Sequence, residues 1–228
     1  MKKILVSFIT AVITTNSFLG VAGAEVNNLR QGLILEEQKN LEEMKIKLGE
    51  IVVNTSDYKA DDIIVERSSE KNGIVEVKII DKETNRVLET MTEKKGITLK
   101  NGEYHNIVTR NRYDGPVTTT LEVNLLMYNY NSFRQINAIN GCKIFASSSS
   151  NTTLEDGSAH ASVPGNKFPA TSVNMSGSGV ITGTVNSSTT GEFSIEALKS
   201  AGFSVSQTSS RDYYYRKYVT ITSSYSIY

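Results

Sequence analysis

The clearest pattern in the chain is the alternation of apolar and polar residues beyond residue 100. Val117, Leu121 and Met127 fall on one face of a long predicted strand, and Thr118 and Glu122 fall on the other. A period of two residues is typical of a strand with one buried face and one solvated face. Several such segments with short turns between them predict an antiparallel sheet architecture.

The end of the chain shows the same period. The face expected in the core holds Tyr215, Val219, Ile221, Tyr225 and Ile227, with Lys217 and Ser223 as exceptions. The opposite face holds Arg216, Tyr218, Thr220, Thr222, Ser224 and Ser226. We therefore expect the final strand to be an integral member of a sheet, with its first face buried.

Two turns are predicted between strands. Residues 81–85 separate two β-rich segments, 74–80 and 86–91, and this arrangement favours a hairpin. The Asn140-Gly141 dipeptide favours a type I′ turn, which would pair residues 142–146 back on residues 133–139.

The region after residue 24 opens with a different pattern. Leu41, Met44 and Leu48 recur at helical spacing among Glu and Lys residues, so residues 29–48 are predicted to form a helix that stops at Gly49. The fold class expected is thus mainly β: an antiparallel β-sandwich or open barrel over residues 101–228, preceded by an N-terminal helix and a β-hairpin within the charged region 25–100. A soft boundary is expected near residues 96–102.

The first 24 residues have the three parts of a secretory signal peptide. Lys2 and Lys3 are followed by a mainly apolar stretch, and Ala22-Gly23-Ala24 supplies the small residues of a cleavage site. We expect cleavage after Ala24 and a secreted, extracellular mature protein. The single Cys142 rules out an internal disulfide, which suits a bacterial source with few extracellular disulfides.

Composition restricts the chemistry. The 24 basic and 24 acidic residues balance, and loss of Lys2 and Lys3 would leave a slight acidic excess, which argues against a nucleic-acid partner. His105 and His160 have no second ligand at metal-binding spacing, so no zinc site is expected. Cys142 is interpreted as a small buried apolar residue. No catalytic, cofactor-binding or metal-binding residue is assigned, and no cofactor is expected.

Aromatic and basic residues give the only candidate binding positions. Exposed Tyr and Arg are typical contact residues, because they are amphipathic and can donate hydrogen bonds. The candidates are Tyr128, Tyr130, Arg211, Tyr213, Arg216 and Tyr218.

Three functions remain open. The first is a non-catalytic, exported β-rich protein that binds an unknown protein or an envelope component, at the cell envelope or on another cell. The second is a membrane-active, pore-forming toxin or bacteriocin-like protein, for which the Ser/Thr alternation in residues 182–194 and 220–226 is the observation; only this alternative implies membrane contact. The third is an exported hydrolase with an unrecognised site.

Overall fold

The computed structural model describes residues 44–55, 57–99, 102–148 and 152–227. Residues 1–24, expected to be the signal peptide, and most of the segment expected to be helical lie outside the described residues. Within the described residues the chain is mainly β.

The strands, in chain order, are β1 (Met44–Lys47), β2 (Ile51–Thr55), β3 (Ile63–Arg67), β4 (Ile74–Asp81), β5 (Val87–Thr98), β6 (Glu103–Asp114), β7 (Val117–Tyr130), β8 (Phe133–Ser147), β9 (Thr152–Ser162), β10 (Ser172–Asn186), β11 (Ser204–Gln207) and β12 (Asp212–Ile227). A short α-helix, Ile195–Ser200, stands between β10 and β11 and is followed by Gly202 with φ 83°. A helical turn ending at Gly202 agrees with the sequence, since glycine tolerates positive φ.

The strands form two antiparallel sheets that do not close into a barrel. Sheet A has the order β1-β2-β12-β10-β9, with β11 also paired to β12, and sheet B is a meander from β3 to β8. The predicted β4–β5 hairpin is confirmed. Strand β5, which ends at Thr98, and strand β6, which begins at Glu103, pair with each other in sheet B.

Both sheets contribute side chains to one main core. Val123 and Met127 of sheet B share this core with Val173 and Ile221 of sheet A. A smaller core, at the other end of the sheets, joins Leu198 of the helix to neighbours from β7, β10 and β12. The alternation expected for β7 is confirmed, because its apolar face is buried along its whole length.

The final strand also agrees with its predicted faces. Tyr215, Val219, Ile221 and Tyr225 are buried, while Arg216 and Tyr218 are exposed. Because β12 pairs with β10 along its whole length and with β2 near its end, it is central to sheet A.

The helix predicted for residues 29–48 is wrong where the structure describes it. Met44–Lys47 is strand β1, and Met44 pairs with Thr55 of β2. The spacing of Met44 and Leu48 fits a period of two as well as a helical period, and Ile46 between them is buried. Cross-strand pairing therefore decides the conformation.

The turn predicted at Asn140-Gly141 is also wrong. Both residues lie inside β8, and neither adopts the positive φ that a type I′ turn requires. Gly141 pairs with Asn124 and Ile139 with Leu125, so Asn140 is the extra residue of a β-bulge. Strand β7 is long enough to pair with residues on both sides of this bulge, so the chain continues as one strand.

Candidate functional site

The candidate site is a polar groove on the outer face of sheet A, where four strands lie side by side. Ser176 of β10 lies directly between Thr222 of β12 and His160 of β9. Because alternate residues of β10 and β12 face the core, these three side chains are directed away from it.

The next row of the same face extends the groove. Asn174 of β10 lies between Ser224 of β12 and Ser162 of β9, and Asn54 of β2 pairs with Ser224 on its other side. Neighbouring strands in a sheet are about 4.8 Å apart and successive rows about 6.7 Å apart. The two rows therefore form a grid of hydroxyl, amide and imidazole groups, and with Asp57 they line a groove of about 400 Å³.

The grid has spare hydrogen-bonding capacity. Among the described residues, no protein group hydrogen-bonds to any of the seven side chains that form the two rows of the grid. The Oδ1 atom of Asn54 is buried and lacks a partner. Serine, threonine and asparagine side chains each donate and accept, so the groove offers both functions at short intervals. The grid side chains are those of Asn54, His160, Ser162, Asn174, Ser176, Thr222 and Ser224.

A buried arginine supports the groove from the core. Among the described residues, strand β2 pairs with β12 from Asn54 to Ile51, and Thr222 lies two residues beyond this pairing. Arg110 of β6 is fully buried, and its Nη1 donates to the Thr222 carbonyl. Its Nη2 pairs with Asp57 at the rim of the groove, so Arg110 fixes both a lining strand and a lining carboxylate.

Arg110 is shared between two carboxylates. Its Nε donates to Glu89 over 2.8 Å. Its Nη2 forms an ion pair with Asp57, whose side chain is 47% exposed. Burial opposes the charge on Arg110, but Glu89 and Asp57 outweigh it and raise the pKa of the guanidinium. Burial also raises the pKa of Glu89, although the charge and the hydrogen bond of Arg110 oppose that shift. The guanidinium therefore stays charged beneath the groove.

An exposed aromatic ring lies on the same face as the groove, outside its lining. Tyr218 of β12 is 67% exposed on the same outer face as Thr222. Hydrogen bonds with Thr220 and Ser178 lower the pKa of Tyr218, so its hydroxyl is directed toward the row next to Ser176. An apolar ring thus lies two rows from Thr222 on the face that carries the polar grid.

The structure separates the six binding residues proposed from the sequence. Tyr128 and Tyr130 lie at the end of β7, where Tyr128 contacts Phe133 edge to face. The start of β7 packs with β12 in the smaller core, so about 40 Å of strand separates the two groups.

The other four candidates lie near the start of β12. Arg216 and Tyr218 share the outer face of sheet A, whereas Tyr213 is half-buried against the smaller core. Arg211 is exposed just before the strand. None of the six lines the groove, and Tyr218 is the nearest to it along β12.

Sequence reasoning did not single out the groove residues. The outward positions of Thr222 and Ser224 were evident from alternation, but which strands would lie beside them was not. Asn54 and His160 are far apart in the chain, and only the strand order β2-β12-β10-β9 brings them to one surface.

The described residues contain no group of three or more His, Cys, Asp or Glu side chains placed to hold a metal ion. No helix among them is long and apolar enough to cross a membrane.

No protein family, curated protein or solved structure matches this chain. Function is therefore inferred from the chemistry of the groove itself.

Proposed function

We propose that the chain is an exported, non-catalytic binding module that recognises carbohydrate at the cell envelope or on another cell. The observation that supports this proposal is the polar groove, in which side chains of β9, β10 and β12 that have no hydrogen-bond partner among the described residues direct donors and acceptors outward. On the other outer face, by contrast, polar side chains of the same types bond to each other.

Carbohydrate fits the groove better than other ligand classes. Sugar hydroxyls donate and accept, as do the Ser, Thr and Asn side chains of the grid. The Asp57 carboxylate can accept two adjacent hydroxyls while Arg110 holds it in place. The exposed Tyr218 ring offers an apolar surface for the C–H face of a sugar.

The affinity expected is modest. The groove is open to solvent, and each hydrogen bond contributes about 1 kcal/mol after water is displaced. A few such bonds and one ring contact correspond to a Kd of about micromolar to millimolar for a single site. A ligand that repeats along a surface would then be held by several modules at once.

A glycan-array screen followed by titration tests the proposal. Replacing Ser176, at the centre of the grid, with Phe should fill the groove and abolish binding of the best glycan. Thr184→Phe is the matched control, because Thr184 lies on the same strand and face but outside the groove. An array without a single hit, or equal loss in both variants, would contradict a carbohydrate site.

The export part of the proposal is separately testable. Protein purified from culture supernatant should begin at Glu25, the residue after the expected cleavage site. N-terminal sequencing that finds Met1 instead would contradict it.

A pore-forming activity is the second candidate. Strands β10 and β12 have 15 and 16 residues, more than the 9–11 that cross a bilayer as a barrel, and each has one polar and one apolar face. Their apolar faces are buried in the two cores, so insertion would require the sheets to separate. Release of calcein from liposomes would support this candidate.

A further inference from the structure

Two adjacent turns of sheet B expose large apolar side chains at one end of the molecule. Ile97, near the end of β5, and Leu99, just after that strand, are 88% and 48% exposed. Tyr130 and Phe133, at the turn between β7 and β8, are 66% and 56% exposed. We name these four residues the apolar tip.

The pairing of the strands places the two turns together. Glu103, at the start of β6, pairs with Tyr128 near the end of β7. Gly102 lies so close to Asn129 that an added Cβ would stand 2.5 Å from its carbonyl oxygen. Tyr130 pairs with Phe133 across the second turn. The exposed side chains are thus on neighbouring projections and not scattered over the surface.

Both turn segments are basic. Residues 94–102 and 128–135 contain Lys94, Lys95, Lys100 and Arg134 and no acidic residue. Glu50, from the turn between β1 and β2, approaches Lys95 at 2.9 Å and Arg134 at 3.7 Å. Glu103 is half-buried and accepts from Asn137. Glu93, next to Lys94, is buried and accepts from the amides of Gly49 and Glu50. With these three carboxylates counted against the four basic residues, one positive charge remains around the apolar tip.

From this combination we propose that the apolar tip docks into the interface of a lipid bilayer that carries anionic lipid. Tyr130 and Phe133 flank the two-residue turn between β7 and β8, so their rings can enter between headgroups, where aromatic rings are favoured. The residues at the very end of the second turn, Asn131 and Ser132, are uncharged, so insertion buries no charge there. The basic residues behind them match an anionic surface.

The groove lies at the same end as the apolar tip. Ser162 and Asn174 flank the segment between β9 and β10, and Ala170 of that segment pairs with Ile136 of β8, three residues from Phe133. Docking would therefore bring the groove close to a membrane surface. The lipid proposal stands without the carbohydrate proposal, because it concerns different side chains.

A single reporter tests the docking. The chain has no tryptophan, so Phe133→Trp introduces the only indole. With the full mature chain and vesicles of phosphatidylcholine and phosphatidylserine, its emission should shift to shorter wavelength and be quenched by brominated lipid. Val65→Trp, on strand β3 at the opposite edge of sheet B, should show neither effect. No shift in the Phe133→Trp variant, or the same shift in both variants, overturns the proposal.

A paired substitution gives the second measurement. The variant I97S/F133S should sediment with these vesicles at least about tenfold more weakly, because two inserted apolar side chains are lost. The control I64S/V65S removes two exposed apolar residues of β3 and should bind as the unaltered chain does. Equal binding by both variants overturns the proposal and would leave a protein partner or a second copy to occupy the tip. The vesicles contain no sugar, so either result is independent of the groove, and the indole reporter remains informative if I97S/F133S misfolds.

Discussion

The groove of sheet A and the outer face of sheet B are built from similar residue types, yet they use their hydrogen-bonding groups differently. Outside the groove, sheet A also pairs its polar side chains, as Thr182 does with Thr153 and Glu155. On sheet B the polar side chains bond to one another across strands. On sheet A, the seven grid side chains bond to no protein group among the described residues. The pairs on sheet B include Thr90 with Tyr113 at 3.1 Å, Asn111 with Thr120 at 2.7 Å, and Glu122 with Lys143 at 3.0 Å.

This difference separates a polar surface that serves the fold from one that can serve a ligand. A hydroxyl already bonded to a neighbour must break that bond before it can bind a sugar, whereas an unpaired hydroxyl displaces only water. Polarity and exposure are therefore poor guides to a binding site unless pairing is also known. The buried Arg110 strengthens the contrast, because it holds the sheet A surface in one geometry.

The largest effect is expected from removing the support beneath the groove. Arg110→Met leaves Glu89 buried without its partner, which should cost about 3–5 kcal/mol in the free energy of unfolding measured with urea. The control Arg112→Met removes a half-exposed side chain 3.5 Å from Asp114 and should cost under about 1 kcal/mol. Adding Glu89→Leu to Arg110→Met should recover much of the loss. Similar costs for the two single variants would show that Arg110 does not brace the sheets.

The next effect concerns the groove itself. The variant N174A/T222A should weaken glycan binding about tenfold or more, because two unpaired partners are lost. Its free energy of unfolding should change by under about 0.5 kcal/mol, since neither side chain bonds to the protein. Calorimetric titration and urea unfolding together check this pair of outcomes. A destabilised variant with full affinity would reverse the roles assigned to the two faces.

On sheet B, a substitution is expected to lower stability and to leave glycan binding unaltered. Asn111→Ala removes the acceptor of the Thr120 hydroxyl, which is buried, so it should cost about 1 kcal/mol in unfolding free energy. Binding of the glycan should be unaltered, and the same two measurements apply. Reduced affinity in this variant would mean that the ligand contacts sheet B.

The smallest effect is a pH dependence away from the groove. Burial alone would raise the pKa of Glu50, but hydrogen bonds from Tyr104 and Lys95 and the charges of Lys95 and Arg134 together hold that pKa below its usual value. A lowered folded-state pKa gives stability that is present above the unfolded value and lost as pH falls through the folded value. In acid urea titrations Glu50→Gln should therefore lose stability less steeply than the unaltered chain. Identical acid slopes would contradict this assignment.

Much of the local structure could be predicted from the sequence. The two faces of β12 and the buried face of β7 follow from a period of two, because these strands are long and their apolar positions seldom interrupted. The turn prediction at Asn140-Gly141 is wrong because the dipeptide does not reveal that β7 is long enough to pair with residues on both sides of it. The spacing of Met44 and Leu48 misled because it fits two periods at once.

The candidate site could be predicted only in part. Alternation indicates that Ser176 and Thr222 face outward, but only the strand order shows that they are neighbours and that His160 lies beside them. The aromatic and basic signal identified Tyr218 on the same face, and it also selected Tyr213, which is half-buried. The site depends on which polar side chains hydrogen-bond to each other. The tertiary structure determines this pairing, and the alternation of residues in the sequence does not reveal it.

Amide chemical-shift mapping with the best glycan from the array tests the central claim most directly. On titration, the perturbed amides should cluster on β9, β10 and β12 around His160, Ser176 and Thr222. In sheet B, no strand other than β6 should respond. Perturbations centred on the outer face of sheet B, around Asn111 and Thr120, or spread without a centre, would contradict the assignment of the groove as the binding site.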